Sequence, residues 1–185
     1  MEEKMNHLYE KTVKTTEIFK GKVIDLEVQE VELPNGKMSS REIVKHPGAV
    51  AVLPITKEGK IVLVRQYRKA LGKTIVEIPA GKLEKEENPL DSAARELEEE
   101  TGYKTDKLDF LLSFYTSPGF ADELIYLYMT DKLEKGTTNM DEDEFLDLLE
   151  VSLEEAEQMV KDQTIHDAKT AYAILYLRMK AGFGS

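Results

Sequence analysis

The segment from Asn88 to Gly102 constrains the fold most, because it marks both ends of a helix. Asn88 is a good N-cap, Pro89 suits the first helical position, and Asp91 favours the positive end of the helix dipole. Gly102 suits the left-handed residue that follows a helix end. The sequence therefore predicts a helix over about residues 89–101, and the rest of the chain must pack around it.

Strands are predicted on both sides of this helix. Residues 15–46 alternate in polarity around an Asn35-Gly36 turn, which indicates a β-hairpin. The apolar runs "AVAVLPI" and "KIVLVRQYR", joined by "TKEGK", predict a second strand pair, and further strand candidates follow the helix. Ser152 with Glu155 forms a capping-box pattern for one more helix, and a last helix is predicted over about 167–180. The pattern is that of an α/β protein with a mixed sheet and few helices.

Composition limits the partners and the compartment. The net charge of −11 over 185 residues repels polyanions and argues against nucleic-acid binding, although a small anion screened by metal ions stays possible. The chain has no cysteine, which excludes a disulfide scaffold or a thiolate zinc site and fits a reducing compartment. The first residues do not read as a secretory signal, and no apolar run reaches the roughly 18 residues of a membrane span. We therefore expect a cytoplasmic protein with no membrane partner.

The glutamates of "RELEEETGY" do not point the same way. The helix rotation follows from an apolar stripe of Leu90, Ala93, Ala94, Leu97 and Thr101. At about 100° per residue, Glu96, Glu99 and Glu100 cluster on one side, and Glu98 falls on the opposite flank. Like charges one turn apart repel, and a divalent cation would reverse that effect. Spacing alone leaves a merely solvated acidic face as the alternative.

The segment that starts at Gly81 matches a longer pattern. It reads "GKLEKEENPLDSAARELEEETGY", or G-x5-E-x7-R-E-U-x-E-E-x-G-U, where U is a bulky apolar residue. This resembles the Nudix box of the Nudix hydrolases. The fixed positions are filled by Gly81, Glu87, Arg95, Glu96, Glu99, Glu100 and Gly102. Tyr103 is a small departure at the last apolar position, where an aliphatic residue is more usual.

The resemblance implies a fold and a reaction. The fold would be the Nudix α/β/α sandwich with a mixed sheet, preceded by an N-terminal antiparallel β extension. The reaction would be hydrolysis of a nucleoside diphosphate linked to another moiety, with Mg²⁺ as cofactor and Mn²⁺ or another divalent cation as a substitute. The implied metal ligands are the carboxylates of Glu96, Glu99 and Glu100 and the backbone carbonyl of Ala80. Arg95 would pair with the carboxylates of the box and fix their orientation.

The catalytic base is expected outside the box. Similar enzymes take it from a loop after the core strands, and "NMDEDEF" occupies that place. Glu144 is the first candidate and Glu142 the second. Glu99 or a metal-activated water is the alternative, and an acidic loop that is only solvated also stays open.

A second motif narrows the family. In "SFYTSPGFADE", Pro118 follows Gly102 by sixteen residues, with Gly119 next and Glu123 shortly after. This resembles the ADP-ribose pyrophosphatase branch, which implies cleavage of ADP-ribose to AMP and ribose 5-phosphate. Substrate-binding positions of similar enzymes are matched by Arg41, Arg68 and Glu77, together with Pro118, Gly119 and Glu123. Arg41, Arg68 and Glu77 could instead be ordinary polar residues on the surfaces of strands.

The resemblance also implies a domain organisation and rival functions. Residues 1–46 would form a β-rich extension that pairs across a homodimer and completes the substrate site, and residues 47–185 would form the Nudix hydrolase domain. The first rival is a Nudix hydrolase for another substrate, such as GDP-mannose or a damaged nucleoside triphosphate. The second is a module that binds ADP-ribose without cleaving it, which would be expected to have lost glutamates of the box.

Overall fold

A computed structural model describes residues 7–136 and 145–182. These residues form twelve strands and three helices. The strands are β1 (Lys11–Lys20), β2 (Asp25–Glu32), β3 (Met38–Lys45), β4 (Ala49–Pro54), β5 (Ile61–Arg68), β6 (Lys73–Glu77), β7 (Ala80–Lys82), β8 (Tyr103–Lys104), β9 (Asp109–Tyr115), β10 (Leu124–Thr130), β11 (Glu134–Lys135) and β12 (Leu146–Val151). The helices are α1 (Pro89–Thr101), α2 (Leu153–Lys161) and α3 (Ala168–Gly182). Within the described ranges, no helix is long and apolar enough to cross a membrane.

The chain divides into two compact units. The first contains Met1–Gly48 and Tyr115–Leu124, and the second contains Ala49–Phe114 and Ile125–Ser185. In the first unit, β1, β2 and β3 form an antiparallel sheet in that order. The predicted hairpin is confirmed as β2 and β3, with Gly36 at φ 77° in the turn. The structure adds β1 as a third strand, which begins ahead of the predicted segment.

The second unit corrects the predicted strand pair. β4 and β5 are joined by the expected turn, but they belong to different sheets, and next to the turn an isolated bridge joins Ile55 to Ile61. β4 pairs in parallel with β10 and antiparallel with β7. β5 pairs antiparallel with β6 and β12. All six residues of β4 are buried, so this strand needs a neighbour on each edge and a layer on each face.

The helices of the second unit cover the two faces of β4. Val50 and Val52 belong to a buried cluster with Ala93 and Leu97 of α1. Ala51 and the other alternate residues of β4 belong to a cluster that includes buried residues of α2 and α3. Successive side chains of a strand point to opposite faces. The layers are therefore helix, sheet and helix, with the box helix α1 alone on its side.

The two C-terminal helices follow their sequence signals. Ser152 and Glu155 form the predicted capping box, in which Glu155 N donates to Ser152 Oγ at 3.2 Å and Ser152 N donates to Glu155 Oε2 at 2.7 Å. α3 starts within one residue of the expected position and continues for two residues past the expected end.

Candidate active site

The ends of α1 are set by local contacts. Asn88 Oδ1 accepts a hydrogen bond from Leu90 N at 2.9 Å, and Pro89 occupies the first helical turn. Gly102 adopts φ 69° and donates its N–H to Glu98 O at 2.8 Å. The predicted helix is confirmed at both ends. Because α1 packs against β4, the acidic residues of the box lie in the helical layer next to this strand.

The rotation of α1 differs from the predicted apolar stripe. Ala93, Leu97 and Thr101 are buried as expected. Leu90, however, is 43% exposed, whereas Glu100 is only 3% exposed. Compared with the prediction, the buried face of α1 is therefore rotated towards the side that carries Glu100. The apolar residues mark only part of this face, because Glu100 is also buried and its carboxylate accepts a backbone hydrogen bond.

Two carboxylates of α1 lie against the backbone of Ala80 and Gly81. Ala80 N donates to Glu100 Oε2 at 3.0 Å. A Cβ added to Gly81 would overlap the carboxylate of Glu96, far closer than the 3.0 Å that real Cβ contacts keep. Gly81 is therefore required for space. Val50 pairs with Gly81 in the ladder of β4 and β7, which fixes this backbone beside the helix.

Arg95 forms hydrogen bonds with three carboxylates of the box. Its Nε donates to Glu87 Oε1 at 3.0 Å, and its Nη1 donates to both Glu96 Oε1 and Glu99 Oε2 at 2.8 Å. Nη2 donates to Ser92 Oγ at 3.2 Å. A guanidinium with donors in fixed directions orients the carboxylates that it binds. Arg95 thus joins the loop before α1 to one flank of the helix.

The contacts of Arg95 change the titration of its partners. Hydrogen bonds from Arg95 lower the pKa of Glu87 to about 2. The same bonds, chiefly those to Glu87, raise the pKa of Arg95 above its ordinary value. Both groups are therefore charged at neutral pH. On the opposite flank of the helix, Glu98 forms an ion pair with Lys104 at 2.8 Å, as its predicted separation from the cluster implies.

The donors at this corner fit a hard divalent cation. Glu96 and Glu100 bring carboxylate oxygens to the Ala80–Gly81 backbone, and Mg²⁺ prefers oxygen ligands. Across residues 7–136 and 145–182, no three acidic or histidine side chains form a closed metal cage. A closed cage is not required, because Mg²⁺ commonly takes one or two carboxylates, several waters and substrate phosphates.

Arg68 and Glu77 form a second charged group in the same unit. Arg68 Nε lies 3.1 Å from both carboxylate oxygens of Glu77, and Nη2 donates to Oε2. Only 3% of the Glu77 side chain is exposed, against 38% for Arg68. Glu77, like Arg68, is a predicted substrate-binding residue, and for both residues this stays a prediction. In the structure the carboxylate of Glu77 is bound by Arg68 and Lys169.

The remaining substrate candidates lie in the first unit. Arg41 donates from Nε to Glu10 Oε2 at 2.8 Å and from Nη1 to Ser39 Oγ at 3.0 Å. Glu123 accepts from Thr116 Oγ1 at 2.6 Å. Each of these charged side chains therefore already has a partner within its own unit.

The Ser-Pro-Gly motif forms a turn. Pro118 and Gly119 lie between Ser117 and Phe120, whose N–H donates to Ser117 O at 3.0 Å. Space around Gly119 is open. The motif thus reverses the chain shortly before Glu123.

Two charged contacts were not predicted from the sequence, and two candidate residues lie outside the described part of the chain. Lys169, which contacts Glu77 at 3.3 Å, was not singled out. His46 was not singled out either, and its Nε2 lies 3.7 Å from Glu123 Oε1. No local signal could have found either contact, because each joins residues more than 70 positions apart. Glu142 and Glu144, the candidate bases, fall outside the described residues.

Comparisons with known proteins identify the family of this chain. A family profile described as NUDIX domain matches residues 45–173. An ADP-ribose pyrophosphatase of Bacillus subtilis (strain 168) is 58% identical over 178 residues, which cover 95% of this chain and 96% of the relative. A methanol dehydrogenase activator of Bacillus methanolicus is also 58% identical, over 173 residues that cover 92% of this chain and 94% of the relative.

More distant matches fit the same group. A GDP-mannose pyrophosphatase of Cronobacter sakazakii is 33% identical over 150 residues, covering 76% of this chain and 78% of the relative. The crystal structure of an ADP compounds hydrolase superposes with a TM-score of 0.83 at 19% identity, covering 95% of this chain and 96% of that one, and shows a shared fold. The chain belongs to the Nudix family and is a hydrolase with the Nudix fold and an N-terminal antiparallel β extension.

Proposed function

We propose that this chain hydrolyses the pyrophosphate bond of ADP-ribose, giving AMP and ribose 5-phosphate, with Mg²⁺ as the cofactor. Mn²⁺ or another divalent cation is expected to substitute. The observation that carries the proposal is the convergence of Glu96 and Glu100 on the Ala80–Gly81 backbone inside a complete Nudix box. The high identity to an ADP-ribose pyrophosphatase over nearly the whole chain supports this substrate.

The chemistry requires opposite charge around a pyrophosphate. We propose that Glu96, Glu99, Glu100 and the carbonyl of Ala80 hold the cation. A bound cation would neutralise the phosphate charges that change in the transition state. Hydrogen bonds from Arg95 orient Glu96 and Glu99, and the N–H of Ala80 fixes one oxygen of Glu100. The carboxylates are thereby aligned before substrate arrives, which lowers the cost of reorganisation.

The base remains a proposal from the sequence. We favour Glu144 as the group that takes a proton from the attacking water, with Glu142 second and Glu99 as the alternative. Turnover of Glu144→Gln, Glu142→Gln and the wild type distinguishes them. A loss of about 100-fold in Glu144→Gln alone would support the first choice, and unchanged turnover in both variants would leave Glu99.

The proposed contacts with ADP-ribose come from the six residues that the resemblance marks. They are Arg41, Arg68, Glu77, Pro118, Gly119 and Glu123. Arginine suits this role, because it binds phosphate in a bidentate manner and stacks on bases. We further propose that residues 1–46 act as the extension that completes the site of the catalytic domain, residues 47–185.

We propose a homodimer that forms through this extension. All ten residues of β1 are exposed, and the sheet leaves Val13, Ile18 and Phe19 each more than half exposed. An exposed edge with apolar side chains is a template for pairing with another chain. Light scattering at micromolar concentration should give twice the 21.0 kDa chain mass. A monomer mass would contradict the proposal.

The reaction is tested on the purified protein. Incubation with ADP-ribose and Mg²⁺, then with excess chelator, is followed by chromatography of AMP and ribose 5-phosphate. GDP-mannose and a nucleoside triphosphate are assayed in parallel. The proposal is supported if cleavage of ADP-ribose depends on the metal and is faster than cleavage of GDP-mannose and of the nucleoside triphosphate. Preferred cleavage of GDP-mannose favours the first rival, and binding without cleavage favours the ADP-ribose sensor. We expect the enzyme to act in the cytoplasm.

A second function is favoured by one comparison. The methanol dehydrogenase activator matches this chain at the same identity as the pyrophosphatase does and over almost the same span. We propose that this chain also raises the activity of an alcohol dehydrogenase of that class. Adding wild-type protein and Glu100→Gln to purified methanol dehydrogenase tests this. Activation by the wild type alone would tie the effect to hydrolysis, and no activation by either would reject it.

A further inference from the structure

A buried charge network joins β6 to the start of α3, outside the Nudix box. Glu77 is bound by Arg68 from β5 and by Lys169 from α3, whose Nζ lies 3.3 Å from Glu77 Oε2. The same Nζ lies 3.0 Å from Asp167 Oδ1. Only 12% of the Lys169 side chain is exposed. A carboxylate as buried as Glu77 is costly unless it is paired, so the network has a structural need for cations.

The backbone fixes Lys169 beside Glu77. Residues on both sides of Glu77 donate to the segment before and within α3, with Val76 N to Thr164 O at 3.0 Å and Ile78 N to Thr170 Oγ1 at 3.0 Å. Asp167 Oδ1 accepts from Thr170 N at 3.0 Å and so caps α3 with the atom that also holds Lys169. The ammonium group is therefore held from both sides.

Arg68 is the exposed end of this network. It binds Glu77 through Nε and Nη2, and its Nη1 makes no hydrogen bond within the part of the chain that the structure describes. Burial lowers the pKa of Arg68, but the hydrogen bonds and charge of Glu77, with smaller effects of Glu100 and Asp167, raise it overall. Glu77 precedes Ala80 by three residues, and Ala80 N donates to Glu100 Oε2 of the box helix at 3.0 Å, so the network lies next to that helix along the chain. The guanidinium can thus hold a buried carboxylate and still offer donors to an anionic ligand.

One oxygen atom of the network lacks a hydrogen-bond partner within the described part of the chain. Among the described residues, Asp167 Oδ2 is a buried side-chain oxygen without a hydrogen-bond partner. Such atoms are rare in folded proteins and need an explanation. Asp167 Oδ1 alone provides both the helix cap and the contact to Lys169. A carboxylate in this place adds negative charge beside Lys169, which an amide cap would not do.

We propose that Lys169, held by Asp167, is a positioning residue of the active site that shares the charge of Glu77 and so keeps Arg68 available to substrate. Without Lys169, Arg68 is the only cation among the described residues that binds Glu77, and the buried carboxylate holds its guanidinium more tightly. Lys169 thus affects substrate binding, and the chemical step depends on the residues of the Nudix box. The inference rests on the proposed hydrolysis of ADP-ribose.

Kinetics of Lys169→Met test the inference. We expect KM for ADP-ribose to rise about tenfold with kcat within about twofold, because the change removes binding and no transition-state contact. Lys169→Arg should restore KM to within about threefold. Lys180→Met is the matched control, since Lys180 is an exposed lysine in the last turn of the same helix, and it should behave as the wild type. A fall in kcat with unchanged KM would overturn the proposal.

A double-mutant cycle tests the route through Arg68. If Lys169 acts by positioning Arg68, adding Lys169→Met to Arg68→Ala should change KM by less than about twofold. A further tenfold rise in that background would show an independent role and reject the proposal. Thermal melts check folding, and Lys169→Gln replaces Lys169→Met in both experiments if the methionine variant does not fold.

The wild type separates the inference from the proposed function. Wild-type protein that binds ADP-ribose by calorimetry but does not cleave it would reject the hydrolysis proposal, and the same variants would then be compared by Kd with the same expected ratios. Wild-type protein that neither binds nor cleaves ADP-ribose would reject both.

Discussion

The two flanks of α1 carry the same kind of side chain in opposite surroundings. On the inner flank, Glu96 and Glu100 lie against the Ala80–Gly81 backbone, and Glu100 is almost completely buried. On the outer flank, Glu98 forms one ion pair with a lysine. Exposed pairs of that kind contribute little to stability. The contrast teaches that the neighbouring backbone, and not the number of acidic residues, makes one flank a candidate metal site.

The largest effect is expected from Glu100→Gln on the inner flank. Glutamine keeps an oxygen for the N–H of Ala80 but removes the charge, so the fold is retained and cation binding weakens. Turnover of ADP-ribose should fall at least about 100-fold, or about 2.7 kcal/mol of transition-state stabilisation. Steady-state kinetics at saturating Mg²⁺, with circular dichroism as the control for folding, make the measurement. Wild-type turnover in a folded variant would remove Glu100 from the metal site.

Gly81→Ala probes the space on the same flank. The new methyl group would overlap the carboxylate of Glu96 and force it away from the backbone. We expect turnover to fall about 30-fold, since a displacement of about 1 Å at a catalytic group can cost up to 10²-fold. The unfolding free energy should fall by about 1–2 kcal/mol from overpacking. A matched substitution, Gly119→Ala, adds a methyl group in open space and should leave stability unchanged. Equal stability of both variants would contradict the steric account.

A smaller effect is expected from Glu87→Gln, which removes one anchor of Arg95. The pKa of Glu87 is lowered to about 2 when folded, against an ordinary value of 4.5. Its charge therefore stabilises the protein above about pH 4.5, and that contribution is lost as pH falls towards 2. Urea unfolding at pH 7 should show a deficit of about 1 kcal/mol, given partial exposure. The deficit should shrink with falling pH, and a constant deficit would mean that charge is not its cause.

The smallest effect is expected from Glu98→Gln on the outer flank. Loss of the pair with Lys104 should change stability by less than about 1 kcal/mol. Turnover should stay within about twofold of the wild type, because Glu98 faces away from the cluster. The same assay as for Glu100→Gln applies. A loss comparable with that variant would show that the two flanks do not differ as described.

Local signals predicted the box helix well and its rotation less well. Asn88, Pro89 and Gly102 act on neighbouring backbone groups, so both helix ends could be read from adjacent residues. The apolar stripe misplaced Leu90, because hydrophobicity alone does not reveal that Glu100 is buried against the N–H of Ala80. The Nudix pattern predicted which glutamates would hold a metal ion. It did not indicate that Gly81 is needed for space.

Contacts between distant parts of the chain were beyond the sequence. The parallel ladder of β4 and β10 joins residues about 75 positions apart, and neighbouring apolar runs suggested the wrong pair. The contact of Lys169 with Glu77 spans 92 residues. Nothing near Glu77 signals that its partner is a lysine of the last helix. The family resemblance marked Glu77 as a candidate for substrate contact and gave no sign of its partner in the fold.

The ladder of β4 has a consequence for the order of folding. β4 holds the Ala80–Gly81 backbone on one edge and requires β10 on the other, so its surroundings are complete only when residues up to Thr130 have left the ribosome. Closing a long chain segment is slow compared with forming a helix. We therefore expect α1 to form early during synthesis and to acquire its carboxylate geometry late. Until then, the growing chain carries a helix whose carboxylates are not yet arranged as in the folded protein.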